Sequence, residues 1–185
     1  MVRLQSCAVV VLLALALTGC TTIASSAYKA SSDERPFATY VEDGEIEVKI
    51  KQGLVELGFK SYVALDVYCH YGVVLLAGVV ESGSTLGERA VTLARAVPGV
   101  KRVETYFLPE RPSRASDLAL LAKIKAKFIG DGDLQAPQVE ISVIAGHVVL
   151  AGIVSRPAKV ERFIQHARSV EGVVTVKSYI QVKRP

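Results

Sequence analysis

Apolar and polar positions follow one pattern twice along this 185-residue chain. The stretch GVVLLAG at Gly72–Gly78 returns 74 residues later as GHVVLAG at Gly146–Gly152. The stretch VPGV at Val97–Val100 returns 73 residues later as VEGV at Val170–Val173. Self-similarity at such a distance predicts a duplicated structural unit, with one residue lost from a loop of the second copy.

Each copy opens with an apolar residue at every fourth position, which is the spacing of one face of a helix. These residues are Ile46, Ile50 and Leu54 in the first copy and Leu120, Ile124 and Phe128 in the second. Apolar and polar residues then alternate, from Val63 to Cys69 in the first copy and from Val139 to Val143 in the second. A period of two predicts a half-buried strand.

The remainder of each copy predicts a hairpin, a second helix and a last strand. Gly72 and Gly146 lie where the first strand has to turn back into the second. Gly78 and Gly152 are expected to end the second strands. The order helix, strand, strand, helix, strand predicts an α+β fold, in which two helices cover one face of a three-stranded sheet.

The pattern divides the chain into five parts. We predict a lipoprotein signal peptide at 1–19, an acylated Cys and tether at 20–44, one domain at 45–110, a linker at 111–115 and a second domain at 116–185. Ser116 has the residue type of a helix N-cap and is predicted to start the second domain's first helix.

The beginning of the chain predicts export and lipid attachment. Arg3 precedes a ten-residue apolar run, Ala8–Leu17, which has the layout of a cleaved secretory signal. Ten residues are too few to cross a bilayer, which needs about twenty. The stretch Leu17–Cys20 resembles the bacterial lipobox, whose Cys becomes the first mature residue and carries fatty acyl chains such as palmitate. The alternative is a plain signal peptide with a Cys near its cleavage site.

Several features together resemble the dual BON-domain lipoproteins of bacteria. They are the lipobox, the tandem units with their VLLAG and VPGV or VEGV motifs, and the segments Tyr28–Ala30 and Val41–Val48. The resemblance implies a non-enzymatic protein that supports envelope integrity, and whose second BON domain binds anionic phospholipid through its first helix. Thr21 follows Cys20, with no Asp there, and this resembles lipoproteins sent to the outer membrane, facing the periplasm.

Differences between the copies point to the same helix. Residues 45–110 carry seven basic and eight acidic side chains, whereas residues 116–185 carry ten and six. Glu45 and Glu47 of the first copy become Ala119 and Leu121 in the second. Apolar residues beside lysines favour shallow insertion among anionic headgroups. The candidate insertion residues are Leu118, Leu121 and Ala122, and the candidate headgroup contacts are Lys123, Lys125 and Lys127.

Two other interpretations of that helix stay open. In the first, Leu121 packs against the other domain and the lysines form a solvated face. In the second, the protein is an interaction scaffold that docks to an envelope assembly or a peptidoglycan-associated partner, and the basic helix contacts protein. For the lipid hypothesis we expect phosphatidylglycerol or cardiolipin as ligands.

Nothing in the sequence predicts catalysis, a cofactor or a metal. The histidines at 70, 147 and 166 occupy unrelated repeat positions, and Cys69 corresponds to Val143, which indicates a buried hydrophobe. Asp131 and Asp133 are expected to be turn residues. The lysines have no aromatic platform beside them, so nucleic acid is not an expected partner.

Overall fold

The computed structural model describes residues 33–109 and 114–183. The first half contains helices α1 (Phe37–Glu56), α2 (Phe59–Ala64) and α3 (Leu86–Ala96), and strands β1 (Leu65–His70), β2 (Val73–Val79) and β3 (Arg102–Leu108). The second half contains helices α4 (Arg114–Gly130) and α5 (Pro157–Arg168), a 3-10 turn at Ala136–Gln138, and strands β4 (Val139–Ile144), β5 (His147–Val154) and β6 (Thr175–Val182). Cys20, the signal peptide and residues 111–113 of the predicted linker lie outside the described residues.

Each half contains one three-stranded sheet, in the orders β1-β2-β3 and β4-β5-β6. In each sheet the first two strands form an antiparallel hairpin and the third strand runs parallel to the second. Parallel pairing requires a long crossover connection, and in each half this connection contains a helix, α3 or α5. The predicted α+β fold, with two tandem units of this order, is confirmed.

A buried aspartate holds the hairpin turn of the first half. Tyr71 and Gly72 have φ angles of 55° and 74°, which a type I′ turn requires of both central residues. Asp43 of α1 accepts hydrogen bonds from the Tyr71 and Gly72 N–H groups, both at 2.8 Å. Helix and hairpin are therefore joined through one carboxylate.

The second strand of each sheet is buried on both faces. Val74 and Leu76 of β2 point into the core under the helices of the first half. Leu75 and Ala77 pack instead against residues of the other sheet, including Val149. The helix-free faces of the two sheets therefore pack on each other, which explains why these strands have continuous apolar runs rather than alternation.

Polar contacts border this sheet-to-sheet interface. Tyr68 Oη lies 2.8 Å from Ser142 Oγ, and Ser142 donates to Asp66 Oδ2 at 2.6 Å. The Tyr179 hydroxyl donates to the Thr105 carbonyl at 3.2 Å. These bonds join β1 to β4 and β3 to β6, so the two halves meet through equivalent surfaces.

Helix starts differ from the sequence prediction. Helix α1 begins at Phe37, before the predicted domain start at residue 45, because its inner face continues through the polar Asp43 and the apolar spacing becomes visible only at Ile46. Helix α4 begins at Arg114, so Ser116 lies inside the helix and the prediction that it caps the helix is wrong.

Strand limits also differ. Val63 belongs to α2, a short helix that the alternating pattern concealed, and β1 begins at Leu65. Gly78 and Gly152 lie within β2 and β5 and do not end them. A Cβ atom at Gly78 would overlap the Ala64 carbonyl, and one at Gly152 would overlap the Gln138 carbonyl. These glycines permit close backbone approach instead.

Two glycine substitutions are expected to have opposite effects. Gly78→Ala places a methyl group against the Ala64 backbone, which is less able to move away than the end of a flexible side chain. The free energy of unfolding should therefore fall. Gly44→Ala lies in α1 with no atom within 4 Å of the added Cβ, and it should raise the free energy of unfolding by about 0.5–1 kcal/mol. Urea unfolding followed by circular dichroism compares them; an unaltered midpoint for Gly78→Ala would contradict the overlap.

Candidate membrane-binding helix

One face of α4 packs into the core of the second half. Leu120, Ile124 and Phe128 are buried there, and the Phe128 ring meets Phe163 of α5 edge-on with a centroid distance of 4.8 Å. Near the start of the helix, Asp117 accepts hydrogen bonds from the Ala145 and Gly146 N–H groups, at 3.0 and 3.1 Å. This repeats the bonding of Asp43 and fixes which face of α4 points outward.

The opposite face of α4 is apolar and exposed. Leu118 and Ile129 are 58% and 72% exposed, and Ala122 lies between them. Their spacing of four and seven residues places them on one stripe of the helix. Ala119 and Ala126, also exposed, lie beside this stripe. Helix α4 thus has apolar residues on both faces, and only the inner face contacts protein among the described residues. The name outer stripe is used below for Leu118, Ala122 and Ile129.

Exposed lysines lie on both sides of the outer stripe. Lys125 is on one side and Lys123 is on the other, whereas Lys127, nine residues or two and a half turns from Leu118, lies further round the helix. Within residues 33–109 and 114–183, none of the three forms an ion pair. The counterparts of Lys123 and Lys125 in α1 do: Lys49 lies 3.7 Å from Glu45, and Lys51 lies 3.1 Å from Glu47. Because the second copy has lost these glutamates, its lysines carry uncompensated charge.

The structure separates the candidate residues into two groups. Leu118, Ala122 and the three lysines are exposed, as contact with a membrane surface needs. Leu121 is half-buried and packs against the core of the second half, so it lies beside the outer stripe and not on it. The sequence analysis did not predict Ile129 as a membrane contact. Its distance of eleven residues from Leu118 is about three helical turns, and this spacing places both side chains on the same side of α4.

A groove of about 410 Å³ lies beside the first turns of α4. Its lining includes Ala119, Lys123 and Val174, and the Val174 side chain is 64% exposed. The equivalent groove of about 310 Å³ in the first half has Glu45 and Lys101 at the positions of Ala119 and Val174. The apolar character of the α4 surface therefore continues into its groove.

Among the described residues, no helix combines the length and apolarity that crossing a bilayer would need.

Comparison with known proteins matches two segments, 42–107 and 116–184, to the model of the BON domain. The chain belongs to the BON-domain family. The matches cover more than two thirds of its length, and the family resemblance predicted from the sequence is confirmed. The first half is called BON1 below and the second half BON2.

Curated relatives share this family at moderate identity. Osmotically-inducible protein Y of Escherichia coli K12 is 31% identical over 170 residues, covering 88% of this chain and 84% of the relative. The 21 kDa hemolysin of Actinobacillus pleuropneumoniae is 26% identical over 157 residues, covering 80% of each. The outer membrane lipoprotein DolP of Haemophilus influenzae is 28% identical over 135 residues, covering 70% of this chain and 69% of the relative.

A cluster of charged side chains follows the end of α4 in BON2. Asp131 Oδ2 lies 2.6 Å from both His166 Nε2 and Arg162 Nε, and Arg162 also reaches Asp133 at 2.6 Å. The hydrogen bond from His166, followed by those from the Asp133 N–H and Arg162, lowers the pKa of Asp131. Asp131 Oδ1 accepts the Asp133 N–H at 3.0 Å, which is a turn contact. The predicted turn residues thus also tie α4 to α5.

Two further chemically reactive side chains, those of Cys69 and His147, contact neighbouring polar groups. Cys69 is fully buried in BON1, and burial, followed by the nearby Asp43 carboxylate, raises the pKa of its thiol. His147 Nδ1 lies 2.7 Å from Thr175 Oγ1 and 3.2 Å from the Tyr106 hydroxyl. In the part of the chain that the structure describes, no group of three or more His, Cys, Asp or Glu side chains is arranged to hold a metal ion.

Proposed function

We propose that this protein is a non-enzymatic, lipid-anchored envelope protein whose BON2 domain binds anionic phospholipid through the outer stripe of α4. The observation that carries the proposal is the exposed apolar stripe with lysines on both sides that form no ion pair with any residue that the structure describes. An amphipathic surface of this kind lies in the headgroup region, with its apolar residues among the acyl chains and its cations at the phosphates.

The expected energies favour an anionic membrane over a neutral one. Burying a side chain such as Leu118 or Ile129 contributes about 1.5–3 kcal/mol when burial is complete. Each lysine near an anionic surface contributes about 1 kcal/mol, and this contribution is lost with neutral lipid or high salt. The lysines therefore supply the preference for negative charge, and the outer stripe supplies affinity.

The anchor in the proposal is Cys20. Its support is the lipobox-like stretch Leu17–Cys20 and the similarity to DolP, which is named an outer membrane lipoprotein. The outer membrane, with the protein facing the periplasm, is accordingly the proposed location. Acyl chains on Cys20 would hold the protein at a bilayer, while α4 would distinguish bilayers by their charge.

Helix α1 favours a second candidate, a scaffold that binds an envelope protein. Val41, Val48 and Val55 are exposed on the outer face of α1, where the neighbouring Lys49 is paired with Glu45. Because the charges on this face of α1 are paired, we expect no preference for anionic lipid. The exposed valines can instead pack against an apolar surface of another protein.

Co-sedimentation of the fragment starting at Thr21 with vesicles tests the lipid proposal. We expect binding to vesicles with phosphatidylglycerol or cardiolipin, loss of that binding at high salt, and none to neutral vesicles. Leu118→Glu places a charge on the outer stripe and should weaken binding without altering the melting temperature, since Leu118 is exposed. Absence of binding to both vesicle types would refute the proposal and leave the protein scaffold as the function to test.

A further inference from the structure

The outer face of α1 carries an exposed apolar stripe that runs almost the whole length of the helix. Its members, called the α1 stripe below, are Phe37, Val41, Val48 and Val55, and each is between 41% and 74% exposed. Steps of four and seven residues keep all four within about 40° of one another around the helix axis. This face lies away from the buried face of α1, which packs into the core of BON1.

The valines of the α1 stripe are arranged symmetrically about Val48. Val41 precedes Val48 by seven residues, and Val55 follows it by seven. When a second α1 lies antiparallel on the first, with a two-fold axis beside Val48, the two Val48 side chains meet. Val41 of each copy is then level with Val55 of the other. An interface between two identical surfaces requires self-complementarity of this kind.

The charged residues beside the α1 stripe change sign at Val48. Glu45 and Glu47 precede Val48, and Lys49 and Lys51 follow it. Glu45 and Lys49 lie on one flank of the stripe, 3.7 Å apart, whereas Glu47 and Lys51 lie on the other flank, 3.1 Å apart. Each flank therefore carries an acid before the centre of the stripe and a base after it.

This charge pattern favours an antiparallel pair of helices over a parallel pair. In the antiparallel pair each flank meets the same flank of the second copy. Glu45 then lies about 3 Å along the axis from Lys49 of the second copy, because each residue rises about 1.5 Å. The same offset separates Glu47 from Lys51 of the second copy. A parallel pair brings opposite flanks together, so that glutamate faces glutamate and lysine faces lysine. Exposed charge pairs add little affinity, but they select orientation.

The equivalent surface of BON2 lacks this complementarity. Ala122 occupies the position of Val48, but Ala119 and Leu121 replace the two glutamates. Two antiparallel copies of α4 would therefore bring lysines together with no acid between them, and like charges at short distance repel. The two domains share the exposed face but differ in the charges that border it, and only the BON1 face can pair with itself.

We propose that the α1 stripe is a self-association surface, on which α1 of a second copy of this chain packs antiparallel about Val48. The proposal does not depend on lipid binding by α4. It identifies the partner of the α1 face as a second copy of the chain, in place of a different envelope protein. Four apolar residues are far fewer than the roughly 20–30 residues that each side contributes to a standard interface, so the dimer should be weak and reversible.

Sedimentation equilibrium of the chain from Thr21 onward, which contains every described residue, measures the association. We expect a monomer–dimer equilibrium in which the dimer is prominent as the concentration approaches about 1 mM. Val48→Glu places two carboxylates at the two-fold axis and should keep the chain monomeric. Its melting temperature should not change, because Val48 is exposed.

Leu118→Glu is the matched control for this variant. It makes the same kind of change at an exposed apolar residue of BON2, and it should leave the dimer intact. A chain that stays monomeric up to about 1 mM refutes the proposal. A Val48→Glu variant that dimerises as well as the unaltered chain refutes it too, because the interface would then lie elsewhere.

Disulfide formation between introduced cysteines tests the orientation of the pair. Val48→Cys should form a covalent dimer on mild oxidation, because the two positions meet at the axis. Val41→Cys and Val55→Cys should crosslink to each other when mixed. Val41→Cys alone should crosslink only slowly, since its two copies lie about 21 Å apart along the axis. The unaltered chain is the control, because its remaining thiol, Cys69, is buried. Rapid crosslinking of Val41→Cys alone would refute the antiparallel pair.

Discussion

Replacing Asp43 by Ala should lower the free energy of unfolding by about 3–5 kcal/mol, as removal of one partner from a buried ion pair does. The substitution deletes the carboxylate that pairs with the buried Arg35 at 2.6 Å. It also removes the acceptor of the Tyr71 and Gly72 N–H groups, which close the hairpin turn. One residue therefore supports the start of the folded body, helix α1 and the β1–β2 hairpin together.

Denaturant unfolding followed by circular dichroism measures this effect. Glu42→Ala is the matched control, because Glu42 is the neighbouring acid on α1 and is exposed. A surface substitution of this kind should change the free energy of unfolding by no more than about 0.5 kcal/mol. If Asp43→Ala cost no more than the control, the turn would form without its carboxylate and the structural role assigned to Asp43 would be wrong.

Neutralising the three lysines of α4 should weaken binding to anionic vesicles roughly a hundredfold at low salt. Each lysine near the surface contributes about 1 kcal/mol, and 1.4 kcal/mol corresponds to a factor of ten. The variant carries Lys123→Gln, Lys125→Gln and Lys127→Gln. All three side chains are exposed, so the fold should be retained, and a titration with vesicles gives the change in affinity.

BON1 provides a control with the same change in net charge. Lys49→Gln, Lys51→Gln and Lys60→Gln remove three positive charges, two of which are paired with Glu45 and Glu47. We expect this variant to bind nearly as well as the unaltered protein. An equal loss of affinity in both variants would mean that overall charge attracts the membrane, and that α4 is not the specific contact.

Each BON unit could be derived from sequence because its elements follow from local patterns. The four-residue spacing of Ile46, Ile50 and Leu54 predicted the buried face of α1, and all three are buried. The offset of 74 residues between the copies then transferred each prediction to the second half. The same offset shows that Ala119 replaces Glu45, so α4 and α1 differ in charge at equivalent positions.

Patterns failed where a residue's role depends on a distant partner. Asp43 resembles any polar helix residue until the hairpin turn 28 residues later donates to it. Leu121 has the same chemistry as Leu118, but its place on the helix turns it toward the core. Gly78 suggested the end of a strand, whereas it accommodates the Ala64 carbonyl inside a strand.

The sequence by itself determined the duplication, the α+β order of each unit, and the apolar and basic composition of α4, because periodicity records which side of an element is buried. Only the tertiary structure decided how the units combine. Leu75 and Val149 could have faced any apolar layer, and the structure packs them on each other across the two sheets. It likewise placed Glu34 between Gln138, Lys159 and Lys183, since contacts between distant residues depend on the folded geometry and leave no periodic trace.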